Sequence, residues 1–392
     1  MKIGINAHFF KFPSSGSGQY LMHLLHALAE VDGQNEYLLF GSQPLTLNGN
    51  KYPQGLSAAI FPYQAHPAPA LATRNENIEK VVWEQFTAPA AAKKAGVDIL
   101  HVPYFAPPLI PRTPTIVTIH DVIPMRLPAY RAGTKVEAYM RLVARAAHSA
   151  TLIITVSQHA KQDMIDALHL PAGRIRVIYE AAGEEYTPVT DEETLAAARA
   201  KYGIGERYIF YLGGLDSRKN VPQLVRAFAH LYKQMDVPEL QLFISGDPDR
   251  QSGPFFPDPR PVAAEQGITD KIVFRFVEDT DKPAIYSGAS LFVFPSVYEG
   301  FGLDPLEAMS CGAPVVCSNR TSLPEVVGDA AITVDPNDTQ ALVEAMRRVL
   351  TDNELAADLR ARSLQRAKQF SWRTTATETL AAYEETFSRS KK

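Results

Sequence analysis

The 392-residue sequence predicts an α/β protein of two domains, each built on a parallel sheet covered by helices. Three observations carry that expectation. Short β-branched or apolar runs alternate with segments of helical period along the whole chain, which is the pattern of parallel strands joined by helical crossovers. The chain is also too long for one ordinary hydrophobic core. The alternation breaks once, after about residues 177–180, where AAGEEYTPVTDEET reads as a linker before a second sheet starts afresh.

Taken in order, KIGIN, EYLLF, DILHV, TIVTIHD, LIITVS and RIRVIY read as strands of the first domain, and YIFYLGG, LQLFISG, KIVFRFV, LFVFPS, APVVCS and AITVD as strands of the second. Apolar spacing predicts helices over Gln19–Val31, Lys135–Ser149, Val221–Gln234 and Thr339–Leu350. Asn353–Gln369 reads as another helix, and FSWRTTATETLAAYEETF as the last, with Ser371 as its N-cap. The resulting division is 1–183, 184–370, and a C-terminal helix at 371–392 that packs back on the first domain. The Pro-rich loop GDPDRQSGPFFPDPRP, residues 246–261, is long for an α/β connection and marks either a functional or a mobile segment.

Composition narrows the function classes. With 46% apolar and 21% charged residues the chain reads as globular, and a net charge of -4 argues against a nucleic-acid partner. Two cysteines, Cys311 and Cys317, exclude a disulfide scaffold and point to a reduced, cytoplasmic compartment. The N-terminal MKIGINAHFF reads as a strand rather than a signal peptide, and no later segment approaches a membrane span, so any membrane contact is expected to be peripheral. Arg126, Arg131, Lys135, Arg141 and Arg145 gather around one amphipathic helix, which reads either as a face for a lipid-linked or anionic acceptor or as a plain solvated surface.

The polar residues at strand ends carry the chemistry. Gly16 and Gly18 precede the first helix, where backbone N–H groups and the helix dipole suit a phosphate. They lack the full dinucleotide fingerprint, which argues against a classical NAD site. His120 ends a strand and can hydrogen-bond a sugar hydroxyl or a nucleophile, whereas Asp121 reads as structural and Ser157 as a helix cap. Arg218 and Lys219 follow the first strand of the second sheet and precede a helix, a pairing suited to a diphosphate. Glu299 lies in a glycine-bearing loop and Glu307 on the next helix, with Gly300 and Gly302 letting the backbone approach a ligand. An ionised Glu307 can accept both hydroxyls of a ribose. Paired carboxylates also serve glycoside hydrolases, so spacing alone leaves the reaction open.

The segment E-G-F-G-L-x-x-L-E-A-M, together with the early glycine loop and Tyr20, the His120–Asp121 pair and the RKN segment, resembles the family-four glycosyltransferases of the GT-B fold. The resemblance covers nearly the whole chain. It implies two Rossmann-like domains facing each other across a cleft, 1–183 binding the acceptor and 184–370 the nucleotide sugar, and retaining transfer of a hexose, mannose or glucose, from a UDP- or GDP-sugar to a carbohydrate or lipid-linked acceptor. It further implies that Glu307 binds the ribose, with Phe276 and Val277 near the base. Arg218, Lys219, Gly16, Gly302 and Leu303 attend the diphosphate, while His120 and Glu299 address the transferred hexose. No metal or cofactor is expected, Asp247 and Asp249 being the nearest D-x-D pair. The alternatives are a sugar-nucleotide-binding protein without turnover, a partner subunit, or another GT-B-like enzyme such as an epimerase. Two departures stand out: Gly214 replaces an arginine frequent in the family, and Asp304 adds a carboxylate on the diphosphate side.

Overall fold

The computed structural model describes residues 1–13, 15–44, 55–67, 69, 75–131, 133–235, 237–249, 253 and 255–391. The chain divides into two compact units, Met1–Glu180 with Trp372–Lys392, and Ala181–Ser371.

The first unit holds β1 (Lys2–Asn6), β2 (Glu36–Gly41), β3 (Tyr63–Ala65), β4 (Ile99–Val102), β5 (Thr115–Thr118), β6 (Leu152–Thr155) and β7 (Ile175–Val177). They form one seven-stranded sheet in the order β3-β2-β1-β4-β5-β6-β7, and each neighbouring pair is parallel. Ile3, Leu100, Val117 and Ile153 are buried, because a parallel sheet is covered on both faces. That is why these strands read as continuous apolar runs. The edge strand β3, sequence YQA, carries no such signal and was not expected; nor were the helices Glu76–Val82 and Ala88–Ala95 or the π-helical turn Trp83–Thr87 that joins them.

The last helix, Trp372–Ser390, belongs to this first unit. Arg176 forks onto Glu385 with bonds of 2.6 and 2.9 Å, and Thr375 Oγ1 donates to the Tyr179 carbonyl at 2.7 Å. Tyr383, fully buried, brings its hydroxyl to 2.8 Å from His101 Nδ1.

The second unit holds β8 (Tyr208–Leu212), β9 (Gln241–Ser245), β10 (Ile272–Phe274), β11 (Leu291–Phe294), β12 (Val315–Ser318) and β13 (Ile332–Val334), in the order β10-β9-β8-β11-β12-β13. Every neighbouring pair is again parallel. The segment KIVFRFV forms a shorter strand than its composition predicts, because β10 is an edge with only β9 to pair with.

Of the basic helix, the structure gives Thr134–Ala147, in which Arg141 pairs with Glu137 at 2.6 Å. Arg126 reaches Asp163 at 2.6 Å and Asp166 at 3.2 Å, so two of the five cations already have carboxylate partners. The Arg131 side chain lies outside the described residues, as do residues 250–252 and 254 of the Pro-rich loop. Among the described residues, no helix is long and apolar enough to cross a membrane.

The glycine loop after β1 divides into two unequal positions. Ser15 caps the helix Gly16–Val31 by accepting from the Gly18 N–H at 3.2 Å. A Cβ on Gly18 would stand 2.2 Å from the Phe12 carbonyl oxygen, whereas one on Gly16 would meet nothing within 4 Å. Gly18→Ala is therefore expected to cost about 1–3 kcal/mol through overpacking, and Gly16→Ala no more than ~0.5 kcal/mol. Thermal melts of the two variants check this; equal melting temperatures would remove the steric account.

Candidate functional site

In the second sheet, strand order reverses between β8 and β11, and crossovers leave these neighbours in opposite directions. Ligands of open α/β sheets bind at the carboxyl ends of strands at such a point. The two loops that emerge there are the predicted ones: β8 runs into Arg218 and Lys219, and β11 into Glu299 and the helix Leu303–Ser310. They are stitched together by the Val297 N–H and the Ser296 hydroxyl, which donate to the Arg218 carbonyl at 2.8 and 3.2 Å.

The site is charged and largely buried. Glu299 Oε1 lies 2.6 Å from Arg218 Nη1 and 2.9 Å from Lys219 Nζ. Lys219, only 5% exposed, also reaches Asp304 at 3.3 Å and sits 4.4 Å over the Phe294 ring. Arg218 is fixed further by Asp216 at 3.3 Å and by the Tyr298 carbonyl at 3.0 Å. Burial alone would raise the Glu299 carboxyl, but Lys219 and Arg218 outweigh it and hold the group below its ordinary value. The extra carboxylate, Asp304, is pushed up by burial and by Glu299, against the pull of Lys219.

Glu307 is buried on the helix that follows the loop. Burial first, then Asp304, pushes its carboxyl up to about 8. Its Oε2 accepts from the Tyr286 hydroxyl at 3.2 Å. A protonated carboxyl keeps one acceptor oxygen and gains one donor, and can still meet two ribose hydroxyls. Gly302, at φ 127°, starts the helix without a side-chain cap, and a Cβ there would stand 2.8 Å from Leu323 Cδ2. Backbone at Gly302 and Leu303 thus forms an uncapped helix N-terminus beside Lys219 and Asp304, suited to an anion.

Near the expected base position, Phe276 is 61% exposed, while Val277 is fully buried and donates its N–H to Ser245 Oγ at 3.2 Å. Of the Asp247/Asp249 pair, Asp249 is bound by Arg260 at 2.7 Å and donates its own N–H to Asp247 at 2.9 Å. The Pro-rich loop instead supplies the Phe255 carbonyl, which accepts from the Ser217 N–H at 2.8 Å, next to Arg218.

His120 and Gly16 belong to the first unit. The His120 ring meets the Tyr20 ring edge-on, with centroids 4.8 Å apart, and its Nε2 lies 3.2 Å from Glu180 Oε1. Asp121 accepts from the Ile123 N–H at 2.9 Å and Ser157 from the Ala160 N–H at 2.9 Å, both structural. Tyr20 reaches Thr118 Oγ1 at 3.2 Å, and that hydroxyl lies 2.9 Å from His101 Nε2. Sequence reasoning missed Glu180, Asp216 and Tyr286. Only Glu180 had a visible signal, as the last residue before the linker.

The family described as "Glycosyl transferases group 1" matches residues 196–366, and that described as "Glycosyltransferase Family 4" matches residues 14–182. The chain is 31% identical over 393 residues to the O-antigen chain mannosyltransferase B of Escherichia coli, covering 98% of this chain and 99% of that one. It is 32% identical over 268 residues to the serotype-specific mannosyltransferase WbdA of Escherichia coli, spanning 32% of that longer protein. Among solved structures, sucrose-phosphate synthase from Thermosynechococcus elongatus superposes with a TM-score of 0.75 at 22% identity, covering 99% of each chain. The Anabaena protein HepE in complex with UDP-glucose gives 0.74 at 19% identity, covering 98% of this chain and 100% of that one. These likenesses show the GT-B fold.

The site's carboxyls set a pH dependence. Glu307 has a folded value above its ordinary 4.5, so its contribution to stability is full below 4.5 and is lost as pH rises through about 8. Glu299, held down, works the other way: its contribution is present above 4.5 and is lost as pH falls through its lowered folded value. Glu307→Gln should therefore raise the melting temperature of the ligand-free protein more at pH about 9 than at pH about 5. An equal shift at both pH values would show that the Glu307 carboxyl is not raised.

Proposed function

Because this chain belongs to the group 1, family-four glycosyltransferases, we propose that it is a retaining, metal-independent hexosyltransferase. The donor is a nucleotide-diphosphate sugar, with mannose as the transferred hexose, and the acceptor is a hydroxyl of a growing glycan. The observation that carries the reading is the meeting of Arg218, Lys219, Glu299, Glu307 and an uncapped helix N-terminus at the strand-order reversal of one sheet. The mannose assignment draws on the two mannosyltransferase relatives.

The chemistry follows from the charges. In the reaction the bond between the anomeric carbon and the diphosphate oxygen breaks, and a bond from that carbon to the acceptor oxygen forms on the same face. The acceptor's proton passes to an oxygen of the leaving diphosphate. Negative charge grows on that diphosphate as the bond stretches, so fixed positive groups stabilise the transition state more than the ground state. Arg218, Lys219 and the helix dipole at Gly302 and Leu303 are such groups, already oriented by Glu299 and Asp304. Glu307 takes the ribose, Glu299 turns its second oxygen to a hexose hydroxyl, and His120 hydrogen-bonds the transferred sugar. Gly16, without a side chain and open above, suits close approach of a phosphate.

Two outcomes test the reading. Transfer from the nucleotide sugar should survive excess EDTA; a loss restored by magnesium or manganese would show that an ion rather than Arg218 and Lys219 carries the diphosphate. His120→Ala should lower single-turnover transfer by roughly 10²-fold, about 2.7 kcal/mol of barrier. It should leave affinity for the free nucleoside diphosphate within about twofold, since misplacing the hexose costs rate rather than nucleotide contacts. Wild-type rates in that variant would remove His120 from the chemistry.

A further inference from the structure

Two contacts hold the His120 ring, and they leave its two nitrogens in different surroundings. The Tyr20 ring meets it edge-on, with centroids 4.8 Å apart and planes at 88°. Nε2 is buried and lies 3.2 Å from Glu180 Oε1, without the alignment of a completed hydrogen bond. The side chain as a whole is nevertheless 21% exposed. An imidazole has two nitrogens, so with Nε2 covered, Nδ1 is the one left to meet a ligand.

Glu180 is itself held in place. It is buried and is the last residue of its segment of the first unit. The two residues before it are pinned from different elements. The Ile178 N–H donates to the Thr155 carbonyl at 2.8 Å, and Thr375 Oγ1 of the C-terminal helix donates to the Tyr179 carbonyl at 2.7 Å. A carboxylate taken out of water needs a partner, and His120 stands at ion-pair distance. Hydrogen bonds at reacting groups are often long or poorly aligned before substrate arrives, and tighten once it is bound. Which nitrogen of a histidine carries the proton is set by the bond that the other nitrogen makes. A carboxylate only accepts, so Glu180 favours the proton on Nε2 and leaves Nδ1 an acceptor.

We propose that Glu180 is the positioning residue of His120: it holds the Nε2–H tautomer, so that Nδ1 meets the transferred sugar as the acceptor for one of its hydroxyls. The assignment rests on the role given to His120 above, and its test separates the two.

The full-length wild type, Glu180→Ala, His120→Ala and the double variant would be compared in single-turnover transfer, with GDP-mannose and UDP-glucose as donors. Glu180→Ala should lower the rate by roughly tenfold, less than the roughly 10²-fold expected of His120→Ala, because Tyr20 still holds the ring. Added to His120→Ala, it should cost no more than about twofold further, since a residue that acts through another has nothing left to position. Affinity for the free nucleoside diphosphate should stay unchanged in all three. The second measurement needs no donor. Ring 15N shifts of His120, identified by their loss in His120→Ala, would be read at pH about 8.5, above the ordinary histidine value. Wild type should show the Nε2–H tautomer alone, and Glu180→Ala should add an Nδ1–H population. Should Glu180→Ala fail to fold, Glu180→Met, of similar length and without acceptor oxygens, carries both measurements. The proposal is overturned by a wild-type rate in Glu180→Ala, by an equal loss from that substitution with and without His120, or by the same tautomer in both proteins. A wild-type rate in His120→Ala would instead strike the role of His120 in the function proposed above, and the tautomer would then decide alone whether Glu180 holds the ring.

Discussion

The reversal of strand order between β8 and β11 is the constraint on which the second unit's site depends. All neighbouring strands are parallel, so each must be followed by a crossover, and only at this pair do the crossovers part. The carboxyl ends there stay uncovered by the sheet's own connections. Whatever residues follow these two strands are held opposite one another, and here they are cations after β8 and carboxylates after β11. Residues some 80 positions apart in sequence, Arg218 and Glu299, are thereby brought to 2.6 Å.

Once juxtaposed, the charges must answer for their burial. A nearly buried ammonium such as Lys219 is tolerated only with anionic partners at hydrogen-bonding range, and it has Glu299 and Asp304. Under the proposed function, a diphosphate entering this site exchanges one anionic partner for another rather than meeting bare cations. The carboxyls respond unequally. Glu299 faces two cations that hold its carboxyl down, whereas burial and then Asp304 push Glu307, further along the same segment, up. Two glutamates eight residues apart are thus shifted in opposite directions by their surroundings, and no reading of their spacing reveals it.

Legibility in the sequence follows from how local each cause is. The apolar strands and the helix Val221–Gln234 were readable because burial on both faces, or on one stripe, imprints itself on consecutive residues. The strand β3 was not, because an edge of three residues, YQA, buries too little to leave a pattern. The site's glutamates, Arg218 and Lys219 stood out by their glycine-rich and strand-end settings. Tyr286 did not, since it arrives from the helix Lys282–Gly288, whose apolar side chains look like any core face. The engagement of the Val277 N–H by Ser245 was not legible either, since it depends on the neighbouring strand β9.

The same logic explains why the chain's last helix is part of the first unit. The buried imidazole of His101 needs partners on both nitrogens, and the sheet supplies only one, Thr118 Oγ1. Tyr383, from a residue 282 positions later, supplies the other. Burial then pushes His101 down to about 3, so it stays neutral and one nitrogen donates while the other accepts. Thr118 passes the chain to Tyr20, whose ring edge meets His120. The hydrogen-bonded line from the C-terminal helix runs through His101 and Thr118 to Tyr20, and a ring contact links Tyr20 to His120. The C-terminal helix, which the sequence already assigns to the first domain, thus completes the hydrogen bonding of the buried His101.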